Sequence, residues 1–169
     1  PGAVRLFDHI WPELAEAFVG LGSQGIDVIV DAGRLGRDGL PVALLEIADA
    51  IGFVLQSNLK SLAASRLYLP LLAEQVSTLP ADRPLGLMLV GPDRPYSAHE
   101  ITAQFGIDCW ARIPWDPKPA GVLSHGLTPP RRFNNSPLLG SYRVAALHLT
   151  QRLERARALR RELLQGGAP

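Results

Sequence analysis

Two short stretches of the chain carry residue types at spacings that could do chemistry. The first is Asp31-Ala32-Gly33-Arg34, which closes the apolar run Ile26-Asp27-Val28-Ile29-Val30. A carboxylate ending a buried strand is suited to hold Mg²⁺, directly or through one of its waters, beside a γ-phosphate. A glycine two residues later lets a backbone N–H approach that phosphate closely. The plain alternative is an ordinary acidic turn. The second stretch is Pro114-Trp115-Asp116-Pro117-Lys118-Pro119. Its prolines stiffen the loop, Trp115 can stack on a base, and Asp116 can orient the base's amino group. Asp116 can equally serve as the N-cap of a helix with Pro117 at its first position, and the two roles are compatible.

Other chemistries find little support. His9, His99, His125 and His148 are scattered without metal-ligand spacing. No Ser/His/Asp grouping with nucleophile-elbow glycines occurs, and the single cysteine, Cys109, falls inside an expected strand as an inert thiol. One cysteine also excludes an intramolecular disulfide, which fits a reducing compartment. Lys and Arg exceed Asp and Glu by 17 − 16 = +1, so bulk charge points neither to nucleic acid nor to an anionic membrane. The basic residues Arg143, Arg152, Arg155, Arg157, Arg160 and Arg161 lie on the last expected helix. They read as the solvated face of a packing helix, with contact to a membrane or an acidic partner as the alternative.

The elements that must position the two stretches follow from periodicity. Leu6, Ile10, Leu14 and Phe18 recur at helical spacing, and Pro12 places the helix start near Trp11 or a kink there. Four apolar runs read as strands, at 27–31, 51–55, 86–90 and 107–113. Between them lie helical stretches: one from Pro41 to Ala50, one capped by Ser57 or Asn58 and running to about Ser77, and one opened by the Ser97/Glu100 capping-box pair and running through Phe105. A proline-rich stretch follows Pro114, then a long helix from Leu138 to Gln165. With 169 residues, of which 47% are hydrophobic and 20% charged, the chain suits one α/β domain over 1–169. Its expected architecture is an open, mainly parallel sheet flanked by helices, with ligands gathered at the carboxyl ends of the strands. No apolar run approaches the ~18 residues needed to cross a bilayer. The opening Pro1–Asp8 has no basic leader before an apolar stretch, so the expected location is cytoplasmic.

Taken in order, these pieces resemble the later part of a MinD/ParA-type ATPase, of the deviant Walker-A, SIMIBI class of P-loop NTPases. The likeness is greatest to the chromosome-partitioning branch of actinobacteria. Its carriers are the 27–34 segment, similar to the family's Walker-B/switch-II strand, and Ala48-Asp49-Ala50-Ile51-Gly52-Phe53-Val54-Leu55. Then come the helix at 61–72, Pro95–Ile101 ahead of Phe105-Gly106-Ile107, and Ile113-Pro114-Trp115-Asp116-Pro117. The last resembles the family's adenine-pocket loop. The likeness covers roughly residues 10–155.

The resemblance implies an ATPase serving partitioning, positioning or assembly of a cellular cargo, with ATP and Mg²⁺ as cofactors of a complete domain. It implies Asp31 and Gly33 near the nucleotide and metal, with Asp31 acting through a Mg²⁺-bound water, and Pro114, Trp115 and Asp116 at the adenine. The family's glycine-rich loop G-x-x-x-x-G-K-[ST] is missing, and lysine occurs only at Lys60 and Lys118. Gly91 stands where many relatives place an adenine-reading Asn. The chain is therefore expected to be a carboxy-terminal portion that neither hydrolyses ATP nor binds it tightly. The alternative is a non-catalytic interaction or localisation module that keeps the fold. In the family, the phosphate-loop strand lies between the 27–31 strand and the next one. Without it a slot opens, to be closed by an upstream segment or by a homodimer with exchanged or edge-paired strands.

Overall fold

The computed structural model describes residues 9–93 and 95–166. The chain divides into two compact units: residues up to Ile51 with Arg66–Pro84, and Gly52–Ser65 with the residues from Leu85 onward.

In the first unit, α1 (Ile10–Ser23) starts beside Trp11, with Pro12 in its first turn, where a missing N–H leaves no helical bond unmade. Leu6 and Phe7 of the expected apolar face lie outside the described residues. Gly25, at φ 79°, takes the chain out of the helix. Helix α2 (Val42–Ile47) packs on α1, with Ala15 and Leu45 buried. Residues from Arg66 of α3 (Leu59–Ser77) complete the unit, burying Leu69, Leu72 and Val76 at helical spacing. Pro70 lies inside α3 on its exposed side, where water can receive the carbonyl freed by its missing N–H. The Gln75 amide holds the loop before α2 in a two-way clasp, its Nε2 donating to Leu40 O at 2.6 Å and its Oε1 accepting from Leu40 N at 3.1 Å. Gly39 is required there, because it has φ 71° and a Cβ would run into the same amide.

The expected strand at 27–31 is not formed. Among the described residues, Val28, Ile29 and Val30 belong to no helix and no ladder, and they are 38%, 95% and 45% exposed. The physical reason is the lack of a flanking strand among the described residues. A β-branched run favours strand geometry, but only a flanking strand can receive its N–H and C=O groups.

The second unit is built on a sheet with strand order β1 (Ile51–Gln56), β2 (Leu85–Val90) and β3 (Cys109–Ile113). β2 and β3 are parallel. Between β1 and β2, Ile51 N–H donates to Pro84 O at 2.9 Å and Ser57 N–H to Val90 O at 3.1 Å. The offset is constant (84 − 51 = 90 − 57 = 33), as only parallel strands allow. The β2–β3 register slips by one residue between Leu87 and Met88. Ile107 and Asp108 precede the last strand instead of opening it, although Asp108 O still accepts from Leu87 N at 2.8 Å.

Around this sheet lie α4 (Ala98–Phe105), α5 (Pro117–His125) and α6 (Pro137–Gly166). α6 covers β3, closing Ala111, Ile113 and Leu138 into a core edged by Met88, Val90, Ala120 and Ala145. Leu87 and Leu89 are fully enclosed. The expected capping box is present at α4. Ser97 Oγ accepts from Glu100 N at 3.2 Å, and Glu100 Oε2 accepts from Ser97 N at 2.8 Å and from Ser97 Oγ at 2.7 Å.

Those bonds from the Ser97 hydroxyl, and then from its backbone, hold the Glu100 carboxyl below its ordinary pKa of 4.5. A lowered folded-state pKa gives stability that is present above 4.5 and lost as pH falls through the lower value. Glu100→Gln is therefore expected to cost stability at pH 7, with the difference from wild type shrinking as the solution is acidified past that range. Urea midpoints measured across pH would test this, and a pH-independent difference would refute it.

Candidate functional site at the carboxyl edge of the sheet

The three strands end side by side, and the residues after β1 and β2 are each fixed by the next strand. Ser57 follows β1, where its N–H reaches Val90 O and its buried hydroxyl donates to Gly91 O. Gly91 follows β2 and donates its N–H to Ile113 O at 2.7 Å. These bonds stitch β1 to β2 and β2 to β3 at the edge where an α/β sheet presents its ligand crevice. Gly91 turns away at φ 67°, and a Cβ there would sit 3.5 Å from Trp115 Cβ. The chain thus bends sharply after β2 and leaves room for the side chain that follows β3.

A cleft of about 250 Å³ opens at this edge, lined by Gln56, Ser57, Asn58, Val90, Gly91 and Trp115. Its apolar side chains are Val90 and the large indole of Trp115, 55% exposed. The polar side chains described on its rim, Gln56, Ser57 and Asn58, carry no charge. Asn58 Nδ2 donates to Gln56 Oε1 at 2.7 Å, and Asn58 Oδ1 accepts from Ser61 N at 2.9 Å, so Asn58 also caps α3. The Ser61 hydroxyl in turn accepts from Gln56 N at 3.0 Å. An exposed aromatic face beside fixed amide groups and without a formal charge suits a neutral, planar, hydrogen-bonding ligand.

The residues singled out in the sequence are placed as follows. Trp115 lines the cleft, and Pro114 joins it to β3. Asp116 stands at the N-cap of α5, with Pro117 at the first helical position and no capping bond from its side chain; its carbonyl accepts from Ala120 N at 3.1 Å. Asp31 and Gly33 belong to the first unit. There Asp31 Oδ1 accepts from Gly33 N at 2.9 Å, a local turn in which Gly33 has φ 69°. Gln56, Ser57 and Asn58 were not foreseen as site residues. Ser57 and Asn58 read in the sequence only as helix caps, yet their position directly after a strand was the available signal.

A larger cleft of about 350 Å³ lies between α1 and α2, lined by Pro12, Ala15, Val19, Ala43 and Ile47 with the carboxylates of Glu16 and Glu46. It gathers no strand ends, and none of its side chains is a hydrogen-bond donor. Among the described residues no group of three or more His, Cys, Asp or Glu could hold a metal ion. Burial raises the pKa of the half-buried Cys109 thiol, which keeps it protonated and unreactive. No helix among the described residues is long and apolar enough to cross a membrane.

The fold and the cleft define an α/β protein with a parallel sheet and a crevice at its carboxyl edge. Comparison of the chain with protein-family models, with curated proteins and with solved structures gave no match.

Proposed function

We propose that the chain carries the carboxy-terminal segments of a MinD/ParA-like ATPase and that its carboxyl-edge cleft binds a nucleobase without supporting hydrolysis. The observation that carries this reading is the position of Trp115, whose indole is open to solvent beside the stitched ends of three parallel strands. The residues present suit the base of ATP and do not suit its triphosphate. Among the described residues the cleft lining holds no Lys, Arg or acidic side chain, and the sequence has no glycine-rich loop to cradle phosphates. Phosphoryl transfer needs positioning and charge neutralisation of the γ-phosphate, so the chain by itself performs none. In this reading the chain takes part in positioning or assembling a cellular cargo through its surfaces, while the cleft holds the base of a nucleotide.

Calorimetry on the 169-residue chain tests the proposal. Adenosine and ATP are expected to bind comparably and weakly, near ~1 mM or about 4 kcal/mol, with no response to Mg²⁺. Micromolar ATP binding that needs Mg²⁺ would show that another element handles the phosphates. Failure of both ligands to bind would remove the base site.

A further inference from the structure

Gln56 and Asn58 on the cleft rim and Ser61 behind them close a ring of hydrogen bonds, and the backbone sets its direction. Ser61 N–H, in the first turn of α3, donates to Asn58 Oδ1 at 2.9 Å. A backbone N–H can only donate, so the Asn58 amide must face it with its oxygen and turn Nδ2 the other way. That Nδ2 meets the Gln56 amide at 2.7 Å, where an oxygen is needed to accept, so Gln56 turns Oε1 toward Asn58. Gln56 N–H closes the ring by donating to Ser61 Oγ at 3.0 Å.

The consequence falls on Gln56 Nε2. With Oε1 turned to Asn58, both Nε2 hydrogens are left over, and among the described residues nothing accepts them. Gln56 is exposed and lines the same cleft as the Trp115 indole. Nearby donors are already committed. Ser57 N–H goes to Val90 O, the Ser57 hydroxyl to Gly91 O, and Gly91 N–H to Ile113 O.

We propose that Gln56 sets the specificity of this cleft, its Nε2–H donating to an unprotonated ring nitrogen or carbonyl of the stacked base. Asn58 is then a positioning residue, which holds Oε1 turned away so that the cleft is offered a donor. The inference rests on the base-binding reading and adds to it the edge that is read. A donor fixed before the ligand arrives loses little freedom on binding, which favours affinity. The ligand class is a neutral base with an in-plane acceptor, such as the ring nitrogens of adenine. A flat ring without such an acceptor would stack on Trp115 but leave the donor unused, and would bind more weakly.

Titration of the isotopically labelled chain with adenosine, an uncharged ligand, tests the proposal. In the wild type the Gln56 side-chain amide signals should move and saturate together with the Trp115 indole N–H. Gln56→Glu alters an exposed side chain and keeps an acceptor for Asn58, but it removes the donor, so adenosine affinity should fall about tenfold or more. Asn58→Asp keeps an acceptor for Ser61 N–H, so the cap and the urea midpoint should be retained. It also presents a second oxygen to Gln56, which should turn its amide over and offer Oε1 to the cleft. Affinity should then fall by a similar factor with Gln56 itself unchanged, a loss that a mere helix cap would not produce. Adenosine binding that needs Trp115 but ignores both substitutions would overturn the inference and leave the base site standing, as would Gln56 signals that stay still while the indole moves. No adenosine binding to the wild type would remove the base site and this inference with it.

Discussion

Trp110→Ala is expected to cost about 3–5 kcal/mol of folding stability, in line with removal of a large aromatic from a core. Trp110 is 6% exposed in the middle of β3. Its indole lies over Gly86 of β2 so closely that a Cβ at residue 86 would fall within the ring. The outer face of the ring is covered by the Arg152 guanidinium of α6, 5.5 Å from the ring centroid, a contact that adds ~0.5–1 kcal/mol when exposed. The Gly86–Trp110 pairing is therefore a shape match and predicts a coupling. Gly86→Ala alone should cost about 1–3 kcal/mol through overpacking. In a Trp110→Ala background the added methyl meets open space, and that cost should fall to near zero. Urea denaturation of the four proteins measures the cycle. Additive losses would show that Gly86 is there for another reason.

The second large effect concerns binding. Stacking of a base on an aromatic side chain is worth ~1–3 kcal/mol by alanine substitution, so Trp115→Ala should weaken adenosine binding by roughly 5- to 150-fold. Because Trp115 is 55% exposed, this change should leave the urea midpoint nearly unmoved, unlike Trp110→Ala. Trp115→Phe, which keeps an aromatic face, should retain most of the affinity. Loss of binding with a parallel loss of stability would mean that Trp115 is a packing residue.

Much of the framework was legible because it is encoded locally. The Ser97/Glu100 spacing announces its capping box, Asp116-Pro117 announces the start of α5, and the apolar runs ending at Leu55 and Val90 announce β1 and β2. The absence of a strand at 27–31 was not legible. Composition tells a strand-former from a helix-former, but it does not say whether a neighbouring strand exists to pair with. The one-residue slip between Leu87 and Met88 was likewise hidden. It leaves Trp110 as the extra residue between the partners of Leu87 and Met88, a position that no local pattern marks. At the cleft, Trp115 stood out by type, while Gln56, Ser57 and Asn58 did not, because amides and hydroxyls after a strand serve as helix caps as often as ligand contacts. The clasp of Gln75 on Leu40, 75 − 40 = 35 residues apart, left no mark in any local pattern.

The central claim is that a base binds at the carboxyl edge of the sheet against Trp115. It is tested most directly by following backbone amide resonances of the isotopically labelled chain as adenosine is added. The account predicts shifts that saturate together and concentrate at Gln56, Ser57, Asn58, Gly91 and the Trp115 indole N–H, and that vanish in Trp115→Ala. Shifts centred on the α1–α2 cleft, or shifts unchanged by Trp115→Ala, would contradict it.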